Sequence, residues 1–387
     1  MSDFPKGLLK EELEEFDVEV PSWGFERGGT RFETYRTEED PRSLEERIRA
    51  AGRANRITGK GNKVSLHFPW DGESKEDVEK LQSLLEGEGL EAGAVNANLF
   101  STREDSPLDA RLRYGSLISP FEDVREEATE HIFRCVEWMR KLESDTLILW
   151  IPDGSYSYGQ ISFYDMYDRI SDSLERISGE MKNDEKLLVE YKPFEPAFYA
   201  TAVFDWGSAT DFSKTAGENA KVLVDTGHHL QGGNVEQIVA YLAKIEELGG
   251  FHFNDRKYAD DDLVTGSLKP GQLFRIFCTL EEAYERDLLN RDDVSFMIDQ
   301  SHYARDPTEA TIESIENILI TSLKSKLVDL SELREAHSEA DIPRADRVLD
   351  RAFQTDVRGA LNGWRREKGL PEDPLAALRG EGGEKSG

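Results

Sequence analysis

Four short apolar runs each end in a group that can bind a cation or move a proton: Leu187-Leu-Val-Glu190, Val222-Leu-Val-Asp225, Gly250-Phe-His252 and Phe296-Met-Ile-Asp299. One imidazole and three carboxylates make an oxygen-rich donor set. It suits Mn²⁺ or Mg²⁺, and also Co²⁺, better than a Cys/His structural zinc. A second group follows closely. His228 lies three residues past Asp225, and Asp260 and Asp262 sit two apart in an extended turn, where both can point one way while Asp261 points the other. These three could hold a second ion beside the first. Singly, each residue has a plainer reading: a lone Asp after a strand is commonly a helix cap, a lone His a satisfied partner, an Asp-Asp-Asp run a solvated turn. Jointly that reading weakens, because four independent caps would not all need to be metal-compatible. His131, His229, His302 and His337 are read as structural, and Cys135 and Cys278, both in amphipathic helical patterns, as core thiols.

The elements that must carry these groups alternate along the chain. Between the Asp225 and His252 runs, Val235, Ile238, Val239 and Leu242 fall at i, i+3, i+4 and i+7, one buried helix face. Strand, helix, strand is a parallel crossover. Strands are expected at 23–27, 63–70, 91–100, 146–152, 187–192, 221–226, 250–254 and 294–300, with helical segments between, including 197–219 before the Asp225 strand. Ser43 followed by Glu46 predicts a capping box. Eight such units predict an α/β (β/α)8 TIM barrel, with catalytic groups at the C-terminal ends of its strands. An open doubly wound sheet would usually offer a Gly-rich phosphate loop after its first strand, and none stands there. The expected organisation is an acidic N-terminal arm (1–20), a barrel catalytic domain (21–330), a C-terminal helical extension (331–378) and a disordered tail (379–387).

The formal net charge of −30 over 387 residues argues against a nucleic-acid partner, which needs a basic surface. The acids are scattered through helices, and arginine outnumbers lysine. The expectation is a solvated acidic shell suited to a high-salt, haloarchaeal type of cytoplasm. No apolar run reaches the roughly 18 residues of a membrane span, and the acidic start lacks a signal-peptide apolar region, so a cytoplasmic location is expected.

Longer strings sharpen this. His67-Phe-Pro-Trp70-Asp71, Trp150-Ile-Pro-Asp-Gly-Ser-Tyr, Glu190-Tyr-Lys192-Pro-Phe-Glu-Pro, Asp225-Thr-Gly-His228-His, His252-Phe-Asn-Asp-Arg-Lys-Tyr-Ala-Asp260-Asp-Asp262 and Asp299-Gln-Ser-His are similar to the L-rhamnose isomerases of the Pseudomonas-like branch, within the xylose-isomerase-like barrels. The resemblance covers about residues 20 to 330. It implies an aldose–ketose isomerase with two divalent ions, Mn²⁺ first and Mg²⁺, Co²⁺ or Zn²⁺ as alternatives. One ion would be held by Glu190, Asp225, His252 and Asp299, the other by His228, Asp260 and Asp262. A hydride would move between C1 and C2 of an opened sugar. Lys192 would polarise O1, and His67 would contact the ring oxygen or O5. Trp70 and Trp150 would wall the sugar's C–H face. The resemblance also implies a homotetramer. Two rivals are a ketose epimerase, which by resemblance uses one metal and two Glu residues as opposed acid and base, and a metal-dependent endonuclease-like barrel, against which the charge speaks.

Overall fold

Alternating side chains on short apolar runs produce eight parallel strands: β1 (Val20–Pro21), β2 (Lys63–Phe68), β3 (Glu91–Ala97), β4 (Thr146–Trp150), β5 (Lys186–Glu190), β6 (Ala220–Asp225), β7 (Leu248–Phe253) and β8 (Ser295–Ile298). The computed structural model describes residues 6–27, 41, 43–99, 110–155, 157–195 and 199–383. The strands pair in sequence order. The sheet closes because Glu19, just before β1, pairs in parallel with Met297. The Glu19 N–H donates to the Phe296 carbonyl at 2.8 Å, and the Ile298 N–H donates to the Glu19 carbonyl at 3.0 Å. The Glu19 carboxylate plugs the lower end, accepting from Ser65 Oγ and the Ala94 N–H, each at 2.8 Å. Gly93 leaves room for it, since a Cβ there would lie 2.1 Å from Glu19 Oε2.

Helices cover the outside of the barrel: α1 (Lys6–Glu15), α2 (Leu44–Thr58), α3 (Lys75–Glu88), α4 (Glu122–Lys141), α5 (Phe163–Glu180), α6 (Trp206–Ala216), α7 (Val235–Lys244), α8 (Pro270–Glu285) and α9 (Pro307–Ser325). The expected capping box starts α2: Ser43 Oγ accepts from the Glu46 N–H, while Glu46 accepts from the Ser43 N–H at 2.9 Å. The main core lies between sheet and helices. A separate inner cluster, Ala94, Ile148, Leu188, Leu223 and Met297, fills the barrel itself. By strand parity, Asn96, Trp150, Glu190, Asp225 and Asp299 lie one layer above those residues, at the C-terminal mouth. His252 stands likewise two past Gly250, where an added Cβ would approach Ser295 O at 3.0 Å and Leu188 Cδ1 at 3.2 Å.

Three expectations need correction. The first strand is Val20–Pro21, and the segment expected as strand, 23–27, opens instead as a 3-10 turn, Ser22–Phe25. Pro21 has no N–H to continue a ladder, and Gly24 is pressed onto it, an added Cβ falling 2.7 Å from Pro21 Cγ. The 197–219 stretch is not helical throughout. Its helix begins at Trp206, capped by Asp205, whose Oδ1 accepts from the Ser208 N–H at 2.8 Å. Before it, Tyr199–Thr201 pairs antiparallel with Gly154–Ser155 and Phe194–Glu195 in a small second sheet. Residues 197 and 198 lie outside the described residues, as do 1–5, 100 and 384–387 of the other predicted segments.

The C-terminus is helical further than expected: α10 (Leu330–Ser338), α11 (Ile342–Phe353), α12 (Arg358–Lys368) and α13 (Pro374–Gly383). These helices pack on the chain's own barrel. Buried Arg365 pairs with Glu316 of α9. Trp364 donates to Glu14 of α1 at 3.2 Å. Arg379, expected in the disordered tail, is held by Glu309 at 2.6 Å. Asp373 ahead of Pro374 supplies the start signal that made this possible, its Oδ1 accepting from the Ala376 N–H at 2.9 Å. Among the described residues, no helix is long and apolar enough to cross a membrane.

Candidate metal centre

Strand pairing sets the geometry of the mouth. His252 of β7 is in register with Asp225 of β6 and Met297 of β8, and Glu190 of β5 is in register with Trp150 of β4. Four adjacent strand ends thus deliver Glu190, Asp225, His252 and Asp299 to one point, where one donor atom from each lies within 4.8 Å of the others. His252 Nδ1 is 3.2 Å from Glu190 Oε1 and 3.8 Å from Asp299 Oδ2.

A second set, Asp225, His228 and Asp260, meets the same distance limit. His228 Nε2 is 3.3 Å from Asp260 Oδ1 and 3.9 Å from Asp225 Oδ2. Its Nδ1 faces Tyr191 O at 3.1 Å and Glu190 Oε1 at 3.2 Å. A proton on Nδ1 directed at these acceptors leaves Nε2 as the donor for a cation. Asp225 is therefore common to both sets. Asp262 lines the same cavity but lies outside the compact second set. It has left-handed backbone (φ 48°), and its Oδ2 accepts from Ser301 Oγ at 3.3 Å.

The charge balance fits a cation. Burial pushes the Asp225 carboxyl up to about 7, with Glu190, Asp260 and Asp299 adding to the rise and His228 opposing it. Burial pulls the His252 imidazole down, but Glu190, Asp299 and Asp225 outweigh it and raise it to about 9. Burial likewise pushes Glu190 up, and His252 and His228 overcome that to hold it below the ordinary carboxylate range. These shifts share one cause: converging buried carboxylates demand positive charge, which protons can meet in part and a divalent ion can meet directly.

Neighbouring groups hold the donors still. Asn254 Nδ2 donates to both Asp225 oxygens at 3.0 Å, and the Gly227 N–H donates to Oδ1 at 2.6 Å. Trp23 Nε1 donates to Asp299 Oδ1 at 2.9 Å. Such outer contacts fix ligand orientation at metal sites.

The cavity above the donors is lined by Trp23, His67, Asn96, Trp150, Lys192 and Ser301, besides every candidate ligand except Asp225. Lys192 Nζ is 2.7 Å from Asp260 Oδ2 and 4.6 Å from the centre of the Trp150 ring. Its strand parity with Leu188 and Glu190 points it inward. Burial lowers the His67 imidazole to about 4 despite Asp71, Asp299 and Glu190 nearby, so it is neutral at pH 7. Trp70, at the turn after β2, is not among the residues lining this cavity. Sequence reasoning missed Trp23, Asn96 and Ser301. Asn96 was reachable from parity on β3, whereas Trp23 was hidden by reading its segment as strand. His229 and His302 are buried and belong to neither set.

A larger cavity of about 690 Å³ opens at the opposite end of the barrel, among Glu12, Phe16, Glu19, Glu281, Tyr284 and Arg291. Its charges pair with one another, Arg291 with Glu12 at 2.9 Å and with Glu281 at 3.0 Å. Chemistry in this architecture belongs at the C-terminal face, which directs attention to the smaller cavity.

Residues 54–272, more than half of the chain, match the xylose isomerase-like TIM barrel family. The chain belongs to that family. It is 37% identical over 374 residues to a probable sugar isomerase of Mesorhizobium japonicum, covering 97% of this chain and 86% of the relative. A probable sugar isomerase of Rhizobium meliloti is 38% identical over 375 residues, with the same coverage. Among solved structures, an L-ribulose 3-epimerase superposes with a TM-score of 0.53 at 12% identity, covering 84% of this chain and 97% of that one. A D-psicose 3-epimerase from Clostridium cellulolyticum H10 gives 0.52 at 13% identity, covering 80% and 96%. At such identities these structures speak for the barrel alone.

Proposed function

We propose that this chain is a metal-dependent aldose–ketose isomerase, converting L-rhamnose to L-rhamnulose by a hydride shift between C1 and C2. The observation that carries the reading is the pair of donor clusters joined through Asp225, with Lys192 over Asp260 and against Trp150. The curated relatives named probable sugar isomerases support the reaction class. The likeness of the long motifs to L-rhamnose isomerases supports the substrate.

Glu190, Asp225, His252 and Asp299 would hold one divalent ion, and His228, Asp260 and Asp225 or Asp262 the other, with Mn²⁺ the favoured metal. When bound, the ions supply Lewis acidity, stabilising negative charge on sugar oxygens that would otherwise be far too basic. The chain does the rest. Neutral His67 can accept the proton of the anomeric hydroxyl and return it to the ring oxygen as the sugar opens. The Lys192 ammonium, two residues past the end of β5, would stabilise charge growing at O1. Trp23 and Trp150 give the cavity apolar walls that shield the transfer from water.

A ketose 3-epimerase, the activity named for the solved structures of like fold, is the alternative. The second donor cluster and the Asp at position 299 favour isomerisation. Offering Mn²⁺-loaded protein a panel of 6-deoxy and ordinary aldohexoses should produce ketose, fastest from L-rhamnose. Inversion at C3 of a ketose, with no aldose consumed, would overturn the reading.

A further inference from the structure

We infer that Trp23 is a positioning residue for the centre, its indole N–H fixing Asp299 and so setting how tightly the Glu190, Asp225, His252 and Asp299 group holds a divalent ion. This rests on the metal-centre reading and goes one step beyond it. Three observations carry it.

The two oxygens of Asp299 are divided in their tasks. Oδ1 accepts the Trp23 Nε1 bond at 2.9 Å, while Oδ2 faces His252 Nδ1 at 3.8 Å. A carboxylate held by one oxygen presents the other in a fixed direction.

Asp299 is also the donor least fixed by packing. Its side chain is 20% exposed, against 4% for Glu190, 2% for His252 and none for Asp225. Asp225 has Asn254 and two backbone N–H groups to hold it. Trp23 does for Asp299 what those groups do for Asp225.

Trp23 is itself held from a distance in sequence. The 3-10 turn after Pro21 carries it back over the mouth, and Gly24 seats that turn against the Gln300 carbonyl, 3.2 Å from where its Cβ would stand. Any side chain at 24 would push this contact apart. The indole also lies on His67, ring centres 5.3 Å apart. One side chain therefore ties a candidate ligand to the candidate proton carrier.

The test is Mn²⁺ titration of metal-stripped, full-length protein, read as the dissociation constant and not as turnover. Trp23→Phe keeps an aromatic wall and removes the N–H; it should weaken the Asp299-containing site by about tenfold or more. Trp23→His, which restores a ring N–H, should bind closer to wild type than Trp23→Phe does. In an Asp299→Asn background, Trp23→Phe should add little, because the bond it removes no longer serves a carboxylate. Unchanged Mn²⁺ affinity in Trp23→Phe, equal weakening by Phe and His, or full additivity with Asp299→Asn would each overturn the inference. If Trp23→Phe does not fold, Trp23→His alone decides it: affinity close to wild type supports the bond, and affinity lost from a folded protein overturns it. Wild-type protein that binds no Mn²⁺ would overturn the metal-centre reading as well, which separates the two failures.

Discussion

Lys192 and His228 grip the same carboxylate: the Lys192 ammonium is 2.7 Å from Asp260 Oδ2, and His228 Nε2 is 3.3 Å from Oδ1. The ammonium thus supplies, at Asp260, part of the positive charge that a second divalent ion would supply. Replacing Lys192 by Met should leave both metal sites loadable and tighten the one at Asp260, since a competing cation is gone. It should also lower kcat by about 10²- to 10³-fold through loss of charge stabilisation at O1. Mn²⁺ titration and steady-state kinetics check both halves. Unaltered kcat with a lowered melting temperature would mark the lysine as structural.

Asp225 is shared by both donor sets, whereas Asp299 serves one. Asp225→Asn should therefore reduce Mn²⁺ binding at both sites, and Asp299→Asn at one, each by at least about tenfold. Turnover should fall to background in both variants. Metal content measured on dialysed protein distinguishes the two patterns, and equal metal content in both would contradict the shared role.

The pH dependence follows from the same charges. Asp225 at about 7, against an ordinary 3.8, and His252 at about 9, against 6.5, both have folded-state values above their unfolded ones. Their protonated forms stabilise the metal-free fold. The Asp225 share is lost as pH rises from its ordinary value through about 7, and the His252 share as pH rises from 6.5 through about 9. Metal-free protein should melt at a higher temperature at pH 6 than at pH 9. Saturating Mn²⁺ should narrow or reverse that order, because binding expels those protons and is stronger at high pH. Thermal melts with and without metal check it.

A net charge of −30 carried by scattered acids predicts self-repulsion when salt is removed. Circular dichroism should show helical signal falling as NaCl is dialysed away and returning when it is restored. An unchanged spectrum at low salt would contradict the high-salt expectation.

The barrel and its four-strand donor set were legible because both rest on parity. Leu188 and Glu190, Leu223 and Asp225, Gly250 and His252, and Met297 and Asp299 are pairs two apart, and a closed parallel sheet turns each pair into a filled layer with a donor above it. What was not legible depends on turns. Ser-Trp-Gly-Phe after Pro21 alternates like a strand, yet it forms a 3-10 turn whose close approach to Pro21 and the Gln300 carbonyl only a residue without a side chain at 24 allows. The left-handed backbone at Asp262 leaves that residue beside the second set, a conformation an Asp-Asp-Asp string does not announce. The continued helix at Pro374–Gly383 shows the same limit. Its glycines read as a tail, but the Asp373 cap and the Arg379–Glu309 pair hold it as a helix.

The most direct measurement is anomalous diffraction at the manganese edge from crystals grown with Mn²⁺. Two peaks should appear at the C-terminal mouth of the barrel, one among Glu190, Asp225, His252 and Asp299 and one beside His228 and Asp260. A mouth without anomalous density, in crystals whose protein binds Mn²⁺ elsewhere, would contradict the account.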